Sequence, residues 1–233
     1  MTLRGVVALL GRFPALAGID VDVDKGDVVL IQGPNGAGKS TLLRLCAGLV
    51  AVESGTATVL GVDLTTNRKA VRRRVGLLGQ RTMLYDDLSI AENVGFWADA
   101  TGVGRAQVAS VLERLDVAAI ADRRVGALST GQRRRAAFAS MIVRRPELWL
   151  LDEPHAGLDQ AGRDVVDSLI ADAIGAGATV LVASHELDRV RPIANRTLTI
   201  AGGADYQNTG EAPGSDTAGS STTGGAPGND TDA

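Results

Sequence analysis

Apolar residues along this chain fall into two rhythms. Short unbroken runs occur at Val28-Val29-Leu30-Ile31, at 75–78, at Leu148-Trp149-Leu150-Leu151 and at 178–183. Runs of this length, rich in branched side chains, mark strands buried on both faces, the usual condition of a parallel sheet. Residues 5–10, 19–23 and 56–60 also read as strands, with Lys25-Gly26-Asp27 as a turn. The second rhythm has the spacing of a helix face. Val108, Val111, Leu112 and Leu115 share one stripe, and Val165, Val166, Leu169, Ile170 and Ile174 share another. Residues 40–49 also read as helix. Strands alternating with helices predict an α/β fold, a mostly parallel sheet with helices packed around it. From about 85 to 145 no β-run breaks the helical texture, which predicts an inserted helical subdomain. Ligands of such sheets gather at the carboxyl ends of the strands, and the polar motifs of this chain fall there.

The first of these motifs follows the run 28–31. Gly33-Pro34-Asn35-Gly36-Ala37-Gly38-Lys39-Ser40-Thr41 fills the phosphate-loop pattern G-x-x-x-x-G-K-[ST] between a strand and a helix. Glycines let backbone N–H groups turn inward around phosphate oxygens, and the following helix aims its positive end at the same anion. Lys39 adds a mobile charge for the outer phosphates, and Ser40 offers a hydroxyl to Mg²⁺. The ligand this predicts is a nucleoside triphosphate with magnesium.

The second motif is the strand 148–151 running into Asp152-Glu153-Pro154. Two acids at a strand end are common on loops. Behind a phosphate loop they gain roles, Asp152 holding magnesium through water and Glu153 polarising the attacking water as general base. Leu128-Ser129-Thr130-Gly131-Gln132 precedes a helix and reads either as a plain cap or as a second anion site. His185 follows the strand 178–183, placing an imidazole at the same sheet edge.

Composition sets the limits. The chain has 233 residues, 45% hydrophobic and 22% charged, with net charge −3. It is long enough for one large core or a core plus a subdomain. The charge gives no electrostatic reason to expect a nucleic-acid partner, and no run approaches the ~20 apolar residues of a membrane helix. The first residues lack the cleavage pattern of a secretory signal, so the expected location is the cytoplasm. The single cysteine, Cys46, lies among leucines and reads as a buried thiol. Arg72-Arg73-Arg74, Arg133-Arg134-Arg135 and Arg144-Arg145 read as solvated helix faces. Beyond residue 202 the chain turns to Gly, Ser, Thr, Ala, Pro and acids, so the predicted domain spans 1–202 and a disordered acidic tail spans 203–233.

Taken together and in this order, the motifs resemble the ATP-binding subunit of an ABC transporter. Gly33 to Thr41 resembles the Walker A loop, Gln80 the Q-loop, Leu128 to Gln132 the family signature, 148–153 the Walker B strand with its catalytic Glu153, Gly157-Leu158-Asp159 the D-loop and His185 the switch histidine. The resemblance implies a P-loop NTPase fold with an N-terminal antiparallel β subdomain beside the parallel core and an inserted helical subdomain. It implies ATP and Mg²⁺, the metal held by Ser40, Gln80 and Asp152. Catalysis would fall to Glu153, His185 and Lys39. The nucleotide would be bound by Gly33, Pro34, Asn35, Gly36, Ala37, Gly38, Lys39, Ser40 and Thr41, with Ser129, Gly131 and Gln132 closing the partner's site. It implies a homodimer or heterodimer of such subunits and an integral membrane permease, with the chain on the cytoplasmic face of the cell membrane.

Two departures stand out. Thr130 replaces the usual glycine of the signature. The aromatic that family members stack on adenine aligns with Leu10, close to Phe13. Residues 84–89 and 145–154 are similar to the haem-exporter ATPase of bacterial cytochrome c maturation; a drug or lipid exporter and a soluble non-transport ABC ATPase are the other readings.

Overall fold

The computed structural model describes residues 1–209. Its strands are β1 (Thr2–Leu10), β2 (Phe13–Asp22), β3 (Val28–Gln32), β4 (Ser54–Val59), β5 (Val62–Asp63), β6 (Val75–Leu78), β7 (Leu148–Asp152), β8 (Thr179–Ala183), β9 (Arg196–Ala201) and β10 (Ala204–Thr209). Its α-helices are α1 (Lys39–Cys46), α2 (Leu64–Asn67), α3 (Ile90–Thr101), α4 (Arg105–Arg114), α5 (Thr130–Ile142), α6 (Gln160–Gly175) and α7 (Leu187–Val190). They build two sheets. A four-stranded antiparallel sheet has the order β2-β1-β4-β5, and a six-stranded sheet has the order β10-β9-β3-β8-β7-β6. In the larger sheet β9, β3, β8, β7 and β6 run parallel and β10 closes one edge antiparallel.

The period of two along each strand divides the core. Val28, Leu30, Trp149, Leu151, Val180 and Val182 face one apolar cluster with Phe138 and Met141 of α5 and Val166, Leu169 and Ile170 of α6. Val29, Ile31, Leu148, Leu150, Leu181 and Ala183 face the other, against Leu42, Leu43 and Leu45 of α1 and the antiparallel sheet. The unbroken apolar runs in the sequence are therefore strands covered on both sides. Cys46 is wholly buried on this second side, where burial pushes its thiol up to about 12.

Helices α3, α4 and α5 pack on one another. Ser89 and Glu92 form a reciprocal capping box at the start of α3, and Gly102 ends it. Two strands extend beyond the sequence expectation. β2 begins at Phe13 rather than near 19 because it pairs with β1 from Leu10↔Phe13 to Thr2↔Asp22. The boundary at 202 is corrected as well. Gly202-Gly203, with φ of 60° and 80°, closes a two-residue hairpin, and Ala204–Thr209 pairs along the edge of β9. The remainder of the predicted tail, 210–233, lies outside the described residues. Among the described residues no helix is long and apolar enough to cross a membrane.

Candidate functional site

The loop between β3 and α1 passes beneath β2. Gly38 has φ 107°, and a Cβ there would lie 2.5 Å from Ala15 O, so only glycine lets the two segments approach this closely. Ala37 N donates to Pro34 O at 3.2 Å and Ala37 O accepts from Gly203 N at 3.1 Å, which ties the loop to the β9–β10 turn. Lys39 curls back over the loop, its Nζ donating to Gly33 O at 2.5 Å and Pro34 O at 3.1 Å. Gly33, Pro34, Asn35, Gly36 and Ala37 thus form a ring of backbone with an ammonium across it, at the positive end of α1. Thr41 is buried in the first turn of that helix. The arrangement suits a polyanion, with N–H groups, a helix end and a cation converging on one point.

Ser40 Oγ donates to Asp152 Oδ2 at 2.7 Å. A hydroxyl and a carboxylate so placed fit magnesium, which keeps several waters and takes few protein oxygens when phosphate supplies others. No group of three or more His, Cys, Asp or Glu that could hold a metal ion occurs among the described residues. Gln80 is exposed just past the end of β6, and among the described residues no hydrogen bond joins it to Ser40 or Asp152.

Glu153 and His185 leave adjacent strands, β7 and β8. Glu153 Oε2 accepts from His185 N at 3.2 Å and from Ser184 Oγ at 3.4 Å. Its other oxygen lies 3.6 Å from His185 Nε2, which also meets Asn35 Oδ1 at 3.1 Å. An imidazole, a carboxylate and the phosphate loop therefore share one corner. Glu153 has φ +49°, a left-handed conformation in a non-glycine residue. Its N–H is held by Ala183 O at 2.8 Å. Two residues on, His155 is buried and its Nε2 meets Asp167 Oδ1 of α6 at 2.7 Å.

Ser129 and Gln132 sit at the start of α5 and cap each other. Ser129 Oγ accepts from Gln132 N at 3.2 Å, and Gln132 Oε1 accepts from Ser129 N at 3.1 Å. Gly131 completes that first turn, with Gly157 O close by. Among the described residues no hydrogen bond joins this turn to the loop 33–41. The two predicted anion sites lie at the starts of different helices, one at α1 and one at α5.

The arginine runs are solvated only in part: Arg73, Arg74 and Arg145 are exposed, and the others find partners. Arg133 pairs with Asp86, and Arg135 reaches Asp116 at 2.7 Å. Arg144 lies 4.7 Å over the Trp97 ring and donates to Arg72 O at 2.6 Å. Arg134 is only 4% exposed. Burial pulls its pKa down to about 10, opposed by the charges of Asp152 and Glu153, so it stays a cation at neutral pH. Charge clustering hid this residue. Its signal was helical spacing, since Arg134 falls on the stripe of Ala137, Phe138 and Met141.

A strand, a phosphate loop and a helix, with a carboxylate at the end of a neighbouring parallel strand, define a phosphate-loop nucleotide-binding domain. A family profile described as ABC transporter matches residues 16–156. A daunorubicin resistance ATP-binding protein of Streptomyces coeruleorubidus is 35% identical over 87% of this chain and 66% of its own length. A cytochrome c biogenesis ATP-binding export protein of Nitrobacter winogradskyi is 35% identical over 86% of this chain and 98% of its own length. Among solved structures, a dimeric ATP-binding cassette captured after hydrolysis with ADP and Pi superposes with a TM-score of 0.82 at 23% identity, covering 90% of this chain and 97% of that one. The chain belongs to the ABC transporter family.

Proposed function

We propose that this chain binds and hydrolyses ATP to power a membrane transporter. The observation carrying the proposal is the convergence of Ser40, Asp152, Glu153, His185 and Asn35 around the mouth of the phosphate loop. In this reading Gly33, Pro34, Asn35, Gly36, Ala37, Gly38 and Thr41 line the phosphates, and Lys39 turns from its carbonyls to the outer phosphate oxygens. Ser40, Asp152 and Gln80 would hold magnesium, which would supply positive charge to the phosphates. Glu153 takes the proton of the attacking water, His185 orients that water and the terminal phosphate, and the products are ADP and phosphate. Phe13, 79% exposed and paired with Leu10 at the tip of the β1–β2 hairpin, is the aromatic available to the adenine base.

Ser129, Gly131 and Gln132 act on the nucleotide of a second subunit, either a copy of this chain or a similar one. Two observations support this: the two patterns lie at the starts of different helices, α1 and α5, and the given sequence carries one copy of each. A membrane partner would dock beside Gln80, where Met83, Tyr85 and Phe96 are exposed and Tyr85 and Phe96 pack edge to face with centroids 6.2 Å apart. Family membership supports a position on the cytoplasmic side of the membrane for such a subunit. For the cargo, residues 84–89 and 145–154 favour haem export in cytochrome c maturation. Drug export is the second reading, favoured by the equal identity of the daunorubicin relative. The membrane subunit that co-purifies with this chain decides between them.

The direct test is phosphate release by Glu153→Gln. The expected loss is at least about 10²-fold, the range of a general base, with binding of a fluorescent ATP analogue retained. Equal rates in the two proteins would remove Glu153 from this role.

A further inference from the structure

Arg134 belongs to none of the motifs, yet it touches the backbone of two of them. Its Nε donates to Pro154 O at 3.3 Å, Nη1 to Gly79 O at 2.7 Å and Nη2 to Asp152 O at 2.6 Å and to Glu153 O. Four carbonyls from two strand ends thus converge on one guanidinium, and among the described residues no carboxylate is bonded to it. Such a site is costly for stability alone. A buried cation loses its hydration, and an apolar residue of similar volume would commonly serve a purely packing role as well or better. The planar fork does something an apolar side chain cannot: it fixes several acceptors at set distances from one another.

The acceptors are informative. Gly79 immediately precedes Gln80. Glu153 occupies left-handed backbone, a strained conformation that persists only where its surroundings hold it. Its N–H is held by Ala183 O, and its carbonyl is held by Arg134. On the other side Arg134 sits one turn into α5, whose first turn carries Ser129, Gly131 and Gln132.

We propose that Arg134 is a positioning residue for hydrolysis, clamping the turn that aims Glu153 and tying it to the end of β6 and to α5. A shift of either strand end, or of α5, is then transmitted through one rigid guanidinium to the carboxylate. The inference rests on the reading of Glu153 as the general base. It deepens that reading by naming what sets the aim of Glu153.

The test compares the full-length wild type with Arg134→Lys, Arg134→Met and Glu153→Gln. Lysine keeps the charge but carries its donors at one point, so it cannot span both strand ends. Methionine keeps the bulk and loses the clamp. The expected kcat falls about 10-fold for the lysine variant and about 10²-fold for the methionine variant, the scale of a misplacement near 1 Å. KM for ATP and equilibrium binding of a fluorescent ATP analogue change by less than about twofold. Wild-type kcat in either folded variant overturns the proposal. If the methionine variant does not fold, the lysine variant decides alone. A matched loss of nucleotide binding and kcat would mark a general staple and overturn it too. Glu153→Gln keeps the two failures apart: full activity there sinks the reading of Glu153, whereas an inactive Glu153→Gln beside a fully active Arg134→Lys sinks only the clamp.

Discussion

Thr130 stands where the family signature usually has glycine, and its neighbour explains how the fold accommodates it. A Cβ placed on Gly157 would lie 2.8 Å from Thr130 Cγ2, and Gly157 has φ +75°. The branched side chain at 130 thus fills the space that a side chain at 157 would take. Gly157→Ala should destabilise the domain by about 1–3 kcal/mol, through overpacking and left-handed strain together. Adding Thr130→Gly should recover the steric part and leave the backbone part. A double-mutant cycle in urea unfolding measures it: the coupling expected for residues in contact is at least about 0.5 kcal/mol. Strict additivity of the two changes would mean that the side chains do not compete for one space. For ATP turnover, Thr130→Gly should be neutral or favourable, because Ser129 and Gly131 stay in place.

At the scale of elements, the parallel strands were legible because burial on both faces requires unbroken apolar runs, as at 28–31 and 148–151. The edges were less so. β9 (Arg196–Ala201) lies toward the edge of the sheet, and its alternation of half-buried and buried positions around Leu198 and Ile200 is a weaker pattern. β10 exists because a Gly-Gly turn folds the chain back onto β9. β9 is held to the core in part by Asp27, which accepts from Arg196 Nη1 at 2.9 Å and from Asn195 Nδ2 at 3.2 Å. Partial burial raises the pKa of Asp27, but the hydrogen bond from Arg196, that from the Asp24 backbone, the Arg196 charge and Asn195 outweigh it. The net effect is a carboxyl below the ordinary 3.8. A folded-state pKa below the unfolded one gives stability that is complete above that ordinary value and lost as pH falls through the lowered one. Asp27→Asn should therefore cost about 1 kcal/mol at pH 7, and its deficit should shrink as pH drops below about 4. Urea midpoints of both proteins between pH 7 and pH 3 test this, and a constant gap would exclude the linkage.

For the whole molecule, the placement of one phosphate-binding pattern at α1 and another at α5 carries the expectation of a pair. One subunit presents both surfaces, yet among the described residues no hydrogen bond joins them. With ATP and Mg²⁺, Glu153→Gln should double its mass by light scattering, because bound triphosphate contributes anionic groups to donors on both subunits and is not consumed. With ADP the same protein should remain single. A single mass under both conditions, at nucleotide concentrations that saturate binding, would sink self-pairing across ATP and leave a similar chain as the second subunit.

The sequence alone determined the phosphate loop and the family to which the chain belongs. Glycine spacing, a lysine and a serine after a buried strand are local chemistry, and local chemistry survives without coordinates. Tertiary structure decided which groups became partners. Ser40 meets Asp152 across 112 positions of chain, His185 meets Asn35 across 150, and Arg134 of a seemingly solvated run became the buried centre of four carbonyls. Those pairings depend on the order β3-β8-β7-β6 and on how α5 crosses beneath it. That order comes from the packing of whole faces, and no single segment encodes it.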